Sequence, residues 1–157
     1  MKKLISLALI LGILASALIA FAYTPVKVVI DEKEVTFAEG DVCAQIINNS
    51  TMMPMREVFE ALGAKLNWVP ETKTVIATTE NGKVISLEVG SKNMTVTDVN
   101  SGSVKEVEIP VAPLLKTAEN KAKFGARVLV PMRAISESLD MQVDWDAENY
   151  IAYANNK

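Results

Sequence analysis

Met53-Pro54-Met55-Arg56-Glu57-Val58-Phe59-Glu60-Ala61-Leu62 is written a second time, with changes, as Val130-Pro131-Met132-Arg133-Ala134-Ile135-Ser136-Glu137-Ser138-Leu139. The offset is 131 − 54 = 77 residues, and it carries on without a gap, so that Trp68 falls on Trp145, Glu71 on Glu148 and Ala77 on Ala154. Pro, Met, Arg, Glu, Leu and Trp recurring at one spacing mean that one supersecondary unit is built twice. Each copy enters through a short apolar run, Thr51-Met52-Met53 or Val128-Leu129-Val130, that ends at a proline, as an extended segment should. Pro54 and Pro131 then stand where proline is best tolerated, in the first turn of a helix. Met55, Val58, Phe59 and Leu62 follow the i, i+3, i+4, i+7 spacing of one buried face. Met132, Ile135 and Leu139 hold the same face in the second copy, with Ser136 in place of the phenylalanine. Gly63 follows the first helix at the position that favours a left-handed cap, and Asp140 takes that position in the second. Strands are expected next, at Lys65–Trp68 and Gln142–Trp145, each turning back into a further strand near Thr74–Thr79 and Tyr150–Tyr153.

The sequence around the two units has the alternation and turn signals of antiparallel β-structure. Val26–Ile30 and Glu34–Phe37 flank Asp31-Glu32-Lys33; Thr74–Thr79 and Lys83–Val89 flank Glu80-Asn81-Gly82, whose Asn-Gly is a strong turn signal. Met94–Thr97 and Val104–Ile109 flank Asp98 to Ser103, a hairpin that corresponds to the first one with a longer loop. The second half carries an extra polar loop, Lys116 to Gly125, with Lys116, Glu119, Lys121 and Lys123. No Pro/Gly/Ser linker separates the halves, and Gly90-Ser91 is a weak break. The expected fold is α+β: antiparallel β-sheets curled around two short helices, in two pseudo-repeated halves at about 26–89 and 92–154, packed as one body.

The first residues carry an address rather than a fold. Met1-Lys2-Lys3, the uncharged run Leu4 to Ala20 and the small residues of Ala20-Phe21-Ala22 form the three parts of a secretory signal peptide, residues 1–22, with cleavage after Ala22. The alternative is an uncleaved N-terminal anchor, since the run reaches the lower length that spans a bilayer. Cleavage leaves 157 − 22 = 135 residues, 23–157, with 16 − 2 = 14 basic against 19 acidic side chains, a net charge of 14 − 19 = −5. A mildly acidic chain without a basic cluster is a poor partner for nucleic acid, whose binding draws on neutralised phosphates. Cys43, the single cysteine, is flanked by Val42 and Ala44 and is expected to be buried rather than bridged. Histidine is absent, which removes the commonest general base, the commonest transition-metal ligand and every Ser-His or Cys-His dyad.

With the repeat in view, the chain resembles the copper amine oxidase N-terminal-like domain family. Val128-Leu129-Val130-Pro131-Met132-Arg133, Glu137, Leu139, Val143 and Trp145-Asp146 follow the family's R-T-L-V-P-L-R … E-A-L-G-A … V-x-W-D motif. Met53-Pro54-Met55-Arg56, Glu60-Ala61-Leu62-Gly63-Ala64 and Trp68 follow it a second time. Val26-Lys27-Val28-Val29-Ile30-Asp31-Glu32-Lys33-Glu34-Val35 is similar to the family's opening hairpin. The resemblance spans about residues 26–153. It implies an exported, non-catalytic, stalk-type domain of Gram-positive bacteria, a sheet packed around a helix, without the copper site and quinone of the separate catalytic domain. The chain departs from the motif at Asn49-Ser50-Thr51-Met52-Met53, where Gly-Arg-Thr-Leu-Val is usual, and at Asp140-Met141 in place of Gly-Ala. An upstream motif arginine therefore exists only in the second copy, as Arg127.

Candidate site residues come from the repeat. Arg56 and Arg133 stand two residues into each helix, with Glu60 and Glu137 four residues on. They are either an anion-binding pair or braces that tie each helix to a strand or loop, and the brace is the stronger reading because a repeated module repeats its scaffold first. Trp68 and Trp145 are either platforms for glycan stacking or aromatics that close the core at a strand end, the latter being favoured. Met52, Met53, Met55 and Met94 raise a soft-metal site for Cu(I), against core filling. Asp144, Asp146 and Glu148 raise Ca²⁺, against a polar turn. The function expected is an exported cell-envelope or extracellular binding or scaffold module, secreted or at the cell surface. Its expected partner is a cell-wall polymer or another exported protein, with no cofactor and no membrane after cleavage. The rivals are a secreted hydrolase using acidic residues and soft-metal handling through methionine.

Overall fold

A computed structural model of the chain describes residues 25–157; the expected signal peptide lies outside them. The apolar runs and turn signals become thirteen strands: β1 (Lys27–Ile30), β2 (Lys33–Val35), β3 (Gln45–Ile47), β4 (Ser50–Pro54), β5 (Lys65–Val69), β6 (Thr74–Thr78), β7 (Lys83–Glu88), β8 (Asn93–Asp98), β9 (Ser103–Glu108), β10 (Leu114–Thr117), β11 (Ala126–Pro131), β12 (Gln142–Asp146) and β13 (Ile151–Asn155). Three helices are present among the described residues: α1 (Met55–Ala61), α2 (Lys121–Phe124) and α3 (Met132–Ser138). With 47% of residues in strands and 14% in helices, the protein is mostly β, with the helices few and short.

The strands form three sheets, ordered β12-β13-β1-β2, β10-β11-β4-β3 and β5-β6-β7-β8-β9. In the second, central sheet, β4 and β11 run antiparallel with Met53 opposite Val130, Pro54 opposite Leu129 and Met52 opposite Pro131. Alternate side chains of these two strands leave on opposite faces. Met53, Val128 and Val130 enter the main core, with Val58 and Phe59 of α1, Met132 and Ile135 of α3, and the inward residues of the two outer sheets. Met52 and Leu129 enter a smaller core closed by Val42, Val111 and Ala118. Both faces of the central strands are thus buried, which is why the two motif runs are almost wholly apolar.

Three expectations are corrected. Pro54 and Pro131 are the last strand residues and cap the helices rather than opening their first turn, with φ/ψ of −55°/127° and −72°/114°. Extended backbone at the cap is what an entry from a strand requires, and a residue without an N–H loses nothing there. Sheet pairing is not wholly antiparallel: β1 pairs in parallel with β13, Val28 opposite Ala152. A parallel neighbour needs a long crossover, and here nearly the whole domain serves as one. The polar loop Lys116 to Gly125 is not structureless, since Lys116 and Thr117 end β10 and Lys121–Phe124 form α2.

The two helix ends behave alike. Gly63 and Asp140 both hold the left-handed conformation, at φ 67° and 64°. Asp140 is held there by an ion pair with Lys83 of β7, and the Lys83 ammonium also donates to the Ser138 carbonyl at 3.3 Å. That places a cation against the C-terminal carbonyls of α3, where the helix dipole favours one.

Candidate functional site

A groove of about 630 Å³ among the described residues has a volume typical of small-molecule sites. It lies where β12, the start of α3 and the β3–β4 hairpin meet. Apolar side chains line it, among them Ile46, Pro131, Met132 and Val143, with Trp145 and Tyr150 on its wall. Trp145 and Tyr150 meet edge to face, ring centroids 5.9 Å apart at 84°. Ile46, Trp145 and Tyr150 are 42%, 39% and 45% exposed, so three large apolar side chains surround one groove and face water. Asn48, Asn49, Ser50, Thr51, Arg133 and Asp144 supply its polar lining.

Local chemistry explains the presentation. Asn48 and Asn49, both left-handed at φ 48° and 60°, make the two-residue turn between β3 and β4. Asparagine is among the few side chains that tolerate that turn. On the opposite side Asp146 ties the turn that leads to Tyr150: its carboxylate accepts from the Glu148 and Asn149 backbone N–H groups at 3.0 Å and from the Asn149 amide at 2.7 Å. The Asn149 bonds, side chain first, hold the Asp146 carboxyl below the usual aspartate range. Tyr150 itself is left-handed at φ 55°.

The sequence candidates separate into groups. Trp145 and Arg133 line the groove. Trp68 instead packs, partly buried, against the main core. Trp145 therefore does not close the core as was expected of both tryptophans. Instead it meets Tyr150, at the end of the turn that follows its strand, edge to face. Arg56–Glu60 and Arg133–Glu137 form ion pairs of identical 3.9 Å length, all four side chains more than half exposed. Among the described residues each pair lies along its own helix and ties it to no strand or loop. Arg127 is engaged elsewhere. Its Nε and Nη2 donate to one carboxylate oxygen of Asp41 at 3.2 and 2.6 Å, its Nη1 to the Phe124 carbonyl at 3.0 Å, and its guanidinium lies 5.8 Å from the Phe124 ring centre.

Glu57 was not singled out in the sequence. It is partly buried beside Arg127 and Asp41, and one of its oxygens has no hydrogen-bond partner among the described residues. Burial raises its pKa above the ordinary glutamate value, and the Arg127 charge opposes that shift. Met53 and Met94 lie in the main core and Met55 against it, while Met52 lies in the smaller core, so the four methionines are divided between two cores. Among the described residues no group of three or more His, Cys, Asp or Glu side chains is placed to hold a metal ion. Within them, no helix is long and apolar enough to cross a membrane. Ile46, Asn48, Asn49 and Tyr150 were likewise missed. The Asn-Asn pair between Ile46-Ile47 and Ser50-Thr51 was the turn signal that could have placed the hairpin.

A family model described as the copper amine oxidase N-terminal domain matches residues 29–154. No curated protein and no solved structure matches the chain.

Proposed function

The chain belongs to the copper amine oxidase N-terminal domain family, a non-catalytic domain, and we propose that it is an exported binding module acting at the cell surface or outside the cell. The observation that carries this is the groove, which exposes Ile46, Trp145 and Tyr150 together while Trp68 packs against the core. An exposed cluster of large apolar groups rimmed by polar ones marks a binding surface. The basic-apolar start of the sequence and the cleavage signal after Ala22 support export. Cell-wall polymers and other exported proteins are the partners such a module meets.

Two related copies underlie this design. The register of the central sheet supports that reading: Met53 faces Val130, its counterpart at offset 77, and Pro54 and Pro131 stand symmetrically about that pair. The sheet order β10-β11-β4-β3 is likewise symmetric about the β11–β4 contact. On this reading each outer sheet joins the opening hairpin of one copy to the closing hairpin of the other.

The test is retention of residues 23–157 on peptidoglycan, wall polysaccharide and immobilised exported proteins. Retention on at least one, lost in Trp145→Ala and kept in Arg56→Ala, is the expected result. Retention on none overturns the binding reading. Sequencing the N-terminus of the exported form tests cleavage, and any start other than Tyr23 contradicts it.

A further inference from the structure

Resting on the binding reading of this groove, we propose that its ligand is a neutral glycan chain, with sugar rings laid on Trp145 and Tyr150. Three observations on the lining select that class. Its charges cancel, Arg133 against Asp144, so the lining has no net charge with which to select an anionic or a cationic polymer. Its remaining polar groups are the amides of Asn48 and Asn49 and nearby hydroxyls, each able to donate and to accept. Sugar hydroxyls do both as well, whereas phosphates only accept and ammonium groups only donate. The aromatic wall supplies the third component. One face of a pyranose ring is a flat patch of C–H groups, and its burial against an indole or phenol face is favourable without any charge.

Tyr150 adds an independent argument. A bulky side chain in the left-handed region is strained, and strain of this kind gathers at functional sites. The ring does not fill the core, being 45% exposed. Nor does the turn require an aromatic there. Lys73, at 150 − 77 = 73, holds the same left-handed conformation at φ 51°. The fold thus builds this turn with lysine at one place, and with an exposed tyrosine against Trp145 at the other. Ligand contact accounts for the difference.

The experiment titrates residues 23–157 with four probes by calorimetry and tryptophan emission: cellohexaose, an N-acetylglucosamine hexamer, polyglycerol phosphate and a ten-residue polyproline peptide. The expected result is saturable binding of at least one of the two neutral oligosaccharides. That binding holds its affinity between low and high salt, because neither the ligand nor the lining carries a net charge to be screened. Tyr150→Lys, which copies the residue already tolerated at position 73, weakens it at least tenfold, with an unchanged circular dichroism spectrum. Trp145→Phe removes most of the emission change. Binding of only the polyphosphate or only the peptide overturns the glycan assignment and leaves the groove as a binding site. Glycan binding unaffected by both substitutions overturns the assignment to this groove. Binding of none of the four overturns the glycan assignment, and the retention assay on whole walls and exported proteins then decides the broader reading on its own.

Discussion

Replacing Ser136 by alanine should make the protein more stable. Ser136 stands at the position that Phe59 fills in α1, it is fully buried, and its hydroxyl oxygen has no hydrogen-bond partner among the described residues. A buried, unsatisfied hydroxyl costs about 1–3 kcal/mol relative to water. Alanine also exceeds serine in helix propensity by roughly 0.5 kcal/mol. Against these stands the loss of one atom's packing, at most about 0.5 kcal/mol because neighbours around so small a gap partly relax. The net gain is about 1–3 kcal/mol, or roughly 3–10 °C in Tm for a domain of this size. Urea unfolding of residues 23–157 measures it, with the slope unchanged so that the midpoint alone reports stability. Ser138→Ala is the control: its hydroxyl donates to the Ala134 carbonyl at 2.7 Å, so its removal yields no such gain. A midpoint for Ser136→Ala at or below that of the parent refutes the reasoning, because the hydroxyl must then be satisfied.

Three other perturbations test the charged groups. Glu57 has a raised pKa through burial, so the protonated form suits the fold. Its contribution is present below the unfolded pKa and is lost as pH rises through the folded one; Glu57→Gln should therefore be more stable than the parent at pH 7 and little different at pH 4, by urea midpoints at the two values. Asp140 is lowered, first by the hydrogen bond from Lys83, so its contribution is present above the unfolded pKa and is lost as pH falls through the folded value. Asp140→Asn should lose roughly 0.2–0.5 kcal/mol at neutral pH and nothing in acid, the small size reflecting its exposure, and added salt should shrink the loss. The Arg127–Asp41 pair is better shielded, with the Asp41 side chain 8% exposed. A double-mutant cycle of Arg127→Met and Asp41→Asn should give a coupling of about 2 kcal/mol, and a value near zero would show that the clamp holds nothing.

How much was legible in the sequence depended on the range of the interaction. The strand-proline-helix-strand units rest on local periodicity and caps, and they were recognisable without structure. Strand β3 and the pair β10–α2 were not. Gln45–Ile47 is three residues long, and its turn, Asn48-Asn49, overlaps the stretch Asn49 to Met53 that stands out as a departure from the motif. The parallel β1–β13 pair joins the two ends of the domain and leaves no mark in either segment. The groove was illegible for the same reason, because Ile46 of β3, Arg133 of α3 and Trp145 of β12 meet only through contacts between different sheets and a helix. Repetition marked Arg133 and Trp145, which line the groove, together with residues that do not. It drew attention to Arg56 and Arg133, whose ion pairs and exposures are nearly identical in the two units.

What the two units share serves the fold common to both, so a binding function is better sought where they differ. They differ at Tyr150 against Lys73, and in what stands beside the strand entering the helix. Beside α3 stands the tight hairpin of β3 and β4, which contributes Ile46, Asn48 and Asn49 to the groove. The corresponding connection, between β10 and β11, runs through 118–125 and contains α2, with Phe124 packed on the smaller core and Arg127 clamped to Asp41. Lys73→Tyr should therefore restore the aromatic to the first unit without restoring a site. Trp68 remains packed against the core, and the helix-containing connection 118–125 stands in place of the asparagine turn. Calorimetry against whichever oligosaccharide the parent binds should show one site per chain in Lys73→Tyr, as in the parent. A second site of comparable affinity would mean that the aromatic pair suffices and that the hairpin contributes nothing to recognition.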